Sequence, residues 1–206
     1  MSNEQRTDGW HADRCGHATA SNFAAIMSKK KDGKPAAARG EYLLRLVTER
    51  LTGIQEQGPD SYSLRWGKDV EPFARTAFES ETGLIVTESS FVRHASIPWV
   101  GCSPDGLIGK DAGYESKCPK NSTVHLETIR SGMPAEHRAQ VQGCMWVTGR
   151  QKWWFVSYDP RMPEHLRLYH ELVMREDAYI AELETEVRAF LREVDEQVER
   201  FKARAA

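Results

Sequence analysis

Apolar positions recur at helical spacing over residues 41–51, at Tyr42, Leu43, Leu46, Val47 and Leu51, and Gly53 closes the run. A second helix is predicted over residues 68–83, with Val70, Phe73, Ala74, Ala77 and Phe78 as its apolar stripe. A third is predicted over residues 136–148, with Val141, Cys144, Met145 and Thr148 inward. The longest covers residues 176–204, where Ile180, Leu183, Val187, Phe190, Val194, Val198 and Phe201 form one stripe. Thr19 or Ser21 is placed to cap a short helix through Phe23, Ile26 and Met27. Residues 122–131 read as a short helix or loop. Strands are predicted at 152–159 and 166–173, rich in aromatic and β-branched residues, and as two short runs, LIVTE and SFVRH, before a turn at Ile97-Pro98. Residues 1–9 read as a frayed polar terminus and residues 54–65 as a polar loop.

Composition changes this picture little. The 206 residues, 40% hydrophobic, suffice for one domain with a real core, taken as residues 1–206. A net charge of −2 excludes a uniformly basic nucleic-acid binder, so any phosphate contact must come from local patches such as Lys29, Lys30, Lys31 and Lys34. No apolar run suggests a secretory signal or a membrane span, which points to the cytoplasm. The four cysteines lack Cys-x-x-Cys spacing and read as small buried residues. The seven histidines show no metal-ligand spacing.

The chemistry concentrates in CSPDGLIGKDAGYESKCP, from Cys102 to Pro119. Asp105 precedes a short apolar run and a glycine-bounded turn, Gly109 to Gly113; Glu115 and Lys117 follow at i and i+2, on one face of a strand. A bent strand and its partner would bring Asp105 and Glu115 together at one edge. Converging carboxylates favour a hard divalent cation, Mg²⁺ or Mn²⁺, and a lysine beside them can orient water or stabilise charge on a phosphate. The plainer alternative is a solvated hairpin with ordinary surface charges. Glu71 falls on the inward face of its predicted helix, where a carboxylate pairs, approaches a metal or reaches solvent from the stripe edge. Gln140 lies one turn before Cys144, on the same side. Arg14 and Ser21 flank a predicted helix start, either as an anion pocket or as a surface arginine and a capping serine. Leu64, the lone apolar residue at the tip of its loop, is a plug into this domain or a wedge into a duplex.

Taken together, these pieces resemble lambda exonuclease and the wider group of phage and prophage recombination nucleases, the YqaJ-like family. The matching residues are Trp10-His11 with Arg14, Thr19-Ala20-Ser21, Trp66-Gly67-Lys68 with Glu71, and Cys102-Ser103-Pro104-Asp105-Gly106-Leu107. They continue with Glu115-x-Lys117-Cys118-Pro119, Ala139-Gln140-Val141-Gln142, Met145-Trp146-Val147-Thr148 and Tyr158-Asp159-Pro160-Arg161-Met162. The resemblance runs from Trp10 into the C-terminal helix and is weakest at 29–34 and 54–64.

It implies an α/β, restriction-endonuclease-like fold: a mixed sheet core flanked by helices, with a long C-terminal helix. It implies digestion of one strand of linear duplex DNA from a 5′-phosphorylated end, with mononucleotides released and a 3′ single strand left. By the same resemblance Asp105, Glu115 and the Ser116 carbonyl hold Mg²⁺, for which Mn²⁺ substitutes. Lys117 positions or activates water, Glu71 adds an acid and Gln140 supports the site. Arg14, Ser21 and Ser103 hold the terminal phosphate. Implied partners are duplex DNA ends, a single-strand annealing protein and two further copies of the chain in a homotrimeric ring, in a bacterial host's cytoplasm. A structure- or sequence-specific endonuclease of the same fold, or a non-catalytic DNA-end binding module, stays open as an alternative.

Overall fold

The computed structural model describes residues 7–56 and 62–205. The polar terminus up to residue 6, and Gly58-Pro59 of the predicted loop, lie outside the described residues. The helices are α1 (Asp8–Arg14), α2 (Phe23–Met27), α3 (Ala37–Thr52), α4 (Tyr62–Thr82), α5 (Ser122–Ser131), α6 (Arg138–Thr148) and α7 (Asp177–Lys202). The strands are β1 (Ala18–Thr19), β2 (Val92–Arg93), β3 (Val100–Cys102), β4 (Gly106–Ile108), β5 (Ala112–Lys117), β6 (Lys152–Tyr158) and β7 (Leu168–Met174).

A four-stranded sheet runs in the order β4-β5-β6-β7. β4 and β5 form an antiparallel hairpin, β5 and β6 are parallel, and β6 and β7 are antiparallel. The parallel pair needs a crossover, and α5 and α6 supply it. A smaller sheet orders β1-β3-β2, with β1 parallel to β3.

The two faces of β6 divide the core by simple alternation. Trp153 and Phe155 join the cluster built with α2, α3, α6 and α7, while Val156 joins Phe78 and Tyr114 in a second cluster under α4. Gly113 lies where a Cβ would come within 2.2 Å of the Trp153 ring, so the hairpin and the tryptophan fit only because that side chain is absent. Gly53 ends α3 in the left-handed region at φ 70°, as its place after the apolar run predicts.

Several expectations change. Residues 8–14 are helical, because the Thr7 hydroxyl accepts the Trp10 N–H and caps α1. Neither Thr19 nor Ser21 caps α2; its N-cap is Asn22, and the Thr19 and Ser21 hydroxyls bond one another and the Asn22 amide. α4 begins at Tyr62, six residues before its predicted start, and continues through Pro72. Leu64 therefore sits on the first turn of a helix, 53% exposed, and not on a loop tip. Phe73 and Phe201 point outward, at 63% and 40% exposure. LIVTE forms no strand: Thr87 makes one bridge to Leu107, and Glu79 Oε1 accepts the Val86 N–H at 2.7 Å. SFVRH shrinks to β2. Cys15 is only half-buried, whereas Cys102, Cys118 and Cys144 are buried, and all four are free thiols. Among the described residues no helix is long and apolar enough to cross a membrane.

Candidate active site

The β4–β5 register pairs Ile108 with Ala112, Leu107 with Gly113 and Gly106 with Tyr114. One further step sets Asp105 opposite Glu115, so the hairpin brings the two acids together at the sheet edge. Asp105 Oδ2 accepts the Ser116 N–H at 2.8 Å and the Ser116 hydroxyl at 3.2 Å. Glu115 and Lys117 share a face, and Lys117 Nζ donates to Glu115 Oε1 at 2.7 Å. Gln140, on the first turn of α6, closes the triangle. Its Nε2 donates to Glu115 Oε1 at 2.5 Å, and its Oε1 accepts from Lys117 at 3.1 Å.

Glu115 is 2% exposed, and its second oxygen, Oε2, is buried with no hydrogen-bond partner. Burial and the charge of Asp105 push its carboxyl up to about 7, against the opposing pull of Lys117. At Lys117 burial works against the charge, but Glu115 and Asp105 outweigh it, so the ammonium stays protonated. The two partners are thus unequally served. The lysine has two acids near it, whereas the glutamate has one cation and an oxygen left bare.

A bare, buried carboxylate oxygen beside a second carboxylate fits a divalent cation. Among the described residues no set of three or more His, Cys, Asp or Glu side chains gathers around one point. Two carboxylates with a main-chain oxygen and waters match the way Mg²⁺ is held, since it keeps several waters and uses one or two carboxylates. Glu71 lines the adjoining cleft of ≈ 400 Å³ with Lys68, Ser116, Lys117 and His137, and its charge is felt at Glu115. Leu64 lies on the rim of the same cleft. His137 stacks on Phe155 with ring centroids 5.4 Å apart, and burial together with Lys117 depresses its imidazole to about 4. It therefore faces the cleft uncharged, a feature nothing in the sequence flags.

The candidate anion pocket is partly assembled. Arg14 Nη1 donates to Ser103 Oγ at 2.6 Å, and Ser103 stands two residues before Asp105. The Arg14 guanidinium lies 4.4 Å from the Trp10 ring centroid and makes no ion pair among the described residues. Its Nε is buried without a partner, and burial lowers the proton affinity of the group. Ser21 is exposed and does not bond Arg14 or Ser103. The parallel β1–β3 pairing, Ala18 with Val100 and Thr19 with Gly101, ends there, and Ser21 follows in the 3-10 turn Ala20–Asn22, outside the strand register that leads to Ser103.

One structural device lies in the Asp159-Pro160-Arg161 segment, though its long-range reach has no signal there. The Asp159 side chain is fully buried and takes Nε and Nη2 of Arg161, each at 2.8 Å. Arg161 also donates to the Pro119 and Lys120 carbonyls and lies 4.5 Å from the Trp66 ring centroid. It thereby ties the exit of β5, which carries Lys117, to the first turns of α4, which carry Leu64. Burial pushes the Asp159 carboxyl up, but the bonds from Arg161 and Ser122 prevail and hold it at about 2. Arg161→Ala is expected to cost about 2 kcal/mol of stability, below the usual cost of breaking a buried pair because the arginine is 41% exposed. Denaturant unfolding of the two proteins checks this.

An acid pair beside a lysine braced by a glutamine, on a helix-flanked mixed sheet, is an arrangement suited to the phosphodiester cleavage of a nuclease. The chain belongs to the family of the YqaJ-like viral recombinase domain, whose model matches residues 9–151. It is 43% identical to an alkaline exonuclease (LHK-Exo) from Laribacter hongkongensis, with TM-score 0.89, over 97% of this chain and 98% of the other. The same enzyme in complex with dAMP superposes with TM-score 0.90. A phage-related exonuclease from Haemophilus somnus 129PT shares the fold at 13% identity and TM-score 0.70, over 90% and 96% of the two chains. The protein ExoD of Escherichia coli (strain K12) is 38% identical over 71 residues, 34% of this chain and 76% of that one.

Proposed function

We propose that this nuclease is a divalent-metal-dependent exonuclease that digests one strand of linear duplex DNA 5′ to 3′ from a 5′-phosphorylated end. It releases mononucleotides and leaves a 3′ single strand for recombination by strand annealing. The observation that carries the proposal is the buried, unpartnered Glu115 Oε2 beside Asp105 and Lys117. Asp105, Glu115 and the Ser116 carbonyl would hold Mg²⁺ or Mn²⁺, which neutralises charge at the scissile phosphate. Lys117, aimed by Glu115 and Gln140, places the attacking water and meets the negative charge that grows on the phosphate. Glu71 adds an acid across the cleft. Leu64, apolar and exposed at the rim, is placed to part the terminal base pair. The relative solved with dAMP contains a nucleoside monophosphate, the class of product proposed here.

Arg14, Ser103 and Ser21 take the terminal phosphate in this scheme. Arg14→Ala is expected to slow digestion of 5′-phosphorylated duplex about tenfold or more, with a much smaller effect on 5′-hydroxyl ends. Equal losses on both would remove the pocket. Offering linear and covalently closed circular duplex with Mg²⁺ tests the end requirement. Degradation of the linear form alone supports it, and nicking of the circle favours an endonuclease. The family likeness further supports a homotrimeric ring around DNA, acting with a single-strand annealing protein in the bacterial cytoplasm. Light scattering should give three times the chain mass, and a monomer would contradict the ring.

A further inference from the structure

We propose that Arg45 and Asn22 form the second wall of the end-phosphate pocket: Arg45 supplies its other cation and Asn22 sets the polarity of the Ser21 hydroxyl. The inference rests on the terminal-phosphate role proposed for Arg14, Ser103 and Ser21. Arg45, on α3, donates from Nη2 to Asn22 Oδ1 at 2.8 Å. That contact fixes which end of the amide faces Arg45. The amide nitrogen then points away and donates to Thr19 Oγ1 at 3.0 Å and Ser21 Oγ at 3.3 Å. A hydroxyl that accepts a bond still has its own proton to give. The Thr19 hydroxyl also bonds the Tyr42 side chain. With the Thr19 proton spent there, Ser21, which accepts from Asn22, has its own proton to give to an incoming anion.

The charges agree with this placement. Arg45 lies 4.6 Å from the Tyr42 ring centroid and, like Arg14, has no carboxylate partner among the described residues. The nearby Glu49 spends its oxygens on the Gly16 and Glu56 N–H groups. Arg45 is one of the charges that disfavour the protonated form of Arg14, so the two guanidiniums feel one another. An anion between them removes that repulsion. A terminal phosphate monoester carries about −1.5 to −2 charge at neutral pH, more than the single charge of an internal diester. A second cation therefore favours the end of a strand over its interior.

The test compares 5′-phosphorylated with 5′-hydroxyl duplex, by anisotropy titration without divalent cation and by digestion rate with Mg²⁺, for wild type, R14A, R45M, R45K and N22L. R45M is expected to weaken binding of phosphorylated ends about tenfold and hydroxyl ends less than about twofold. N22L should shift the same ratio by about threefold, and R45K should recover part of the loss. A merely structural role would lower both ends together and leave the ratio unchanged. If R14A is selective and R45M and N22L are not, the second wall is wrong and the first stands. If R14A itself is unselective, the pocket fails and this inference with it. Should R45M lose its cooperative melt, R45K and N22L carry the same comparison.

Discussion

Alanine at Asp105 or at Lys117 is expected to lower nucleotide release by about a thousandfold or more, while each variant melts as a folded protein. Asp105 is half-buried, and among the described residues its hydrogen bonds go to the Ser116 N–H and hydroxyl, so its loss leaves the hairpin register intact. Lys117 is held by Glu115 and Gln140, and Gln140 still bonds Glu115 when the ammonium is gone. The double variant should fall little further than either single one, because the two groups serve one event. Mononucleotide release from linear duplex, followed beside a thermal melt, checks the set. Near-normal rates in both single variants would remove the site assignment.

Glu115→Gln is expected to abolish digestion to a similar degree and to change how stability depends on pH. The Glu115 carboxyl sits at about 7 in the fold against 4.5 for the free side chain, so the folded state holds its proton more tightly than the unfolded one. Its contribution to stability is therefore full below 4.5 and is lost as pH rises through about 7. Metal-free wild type should lose on the order of a few kcal/mol across that window from this group, and the glutamine variant should not. Adding Mg²⁺ at alkaline pH should raise the melting temperature of wild type and barely move the variant, since a ligand stabilises only the state that binds it. Thermal melts of both proteins across pH, in EDTA and in Mg²⁺, measure all four cases. Parallel curves for the two proteins would show that Glu115 carries no uncompensated charge.

The parts of the fold legible in the sequence are those set by local periodicity. α3 with its closing glycine, α7, β6 and the hairpin around Asp105 and Glu115 follow from spacing alone. The parts that were not legible depend on distant partners. The first turns of α4, with Tyr62 and Trp66, are covered by Lys120 and Arg161, both more than forty residues away in the chain. Residues 84–88 have strand composition but no strand to pair with beyond the Thr87 bridge, and Ile85 is left 71% exposed. In the site, Asp105, Glu115 and Lys117 could be placed by their intervals, and Gln140 by one helical turn. Arg45 carries no such interval, because Asn22 is brought near it only by the fold, and Arg161, though two residues from Asp159, reaches Pro119, Lys120 and Trp66 only in the folded chain.

The central claim is a cation-dependent attack that begins at a phosphorylated 5′ end. The most direct measurement uses a linear duplex phosphorylated at one 5′ end only, with both strands labelled at their 3′ ends, incubated with this protein and Mg²⁺. The phosphorylated strand should shorten from its 5′ side while the other keeps its length, nucleoside monophosphates should accumulate, and EDTA should stop both. Shortening of both strands alike, release of oligonucleotides in place of mononucleotides, or digestion that persists in EDTA would contradict it.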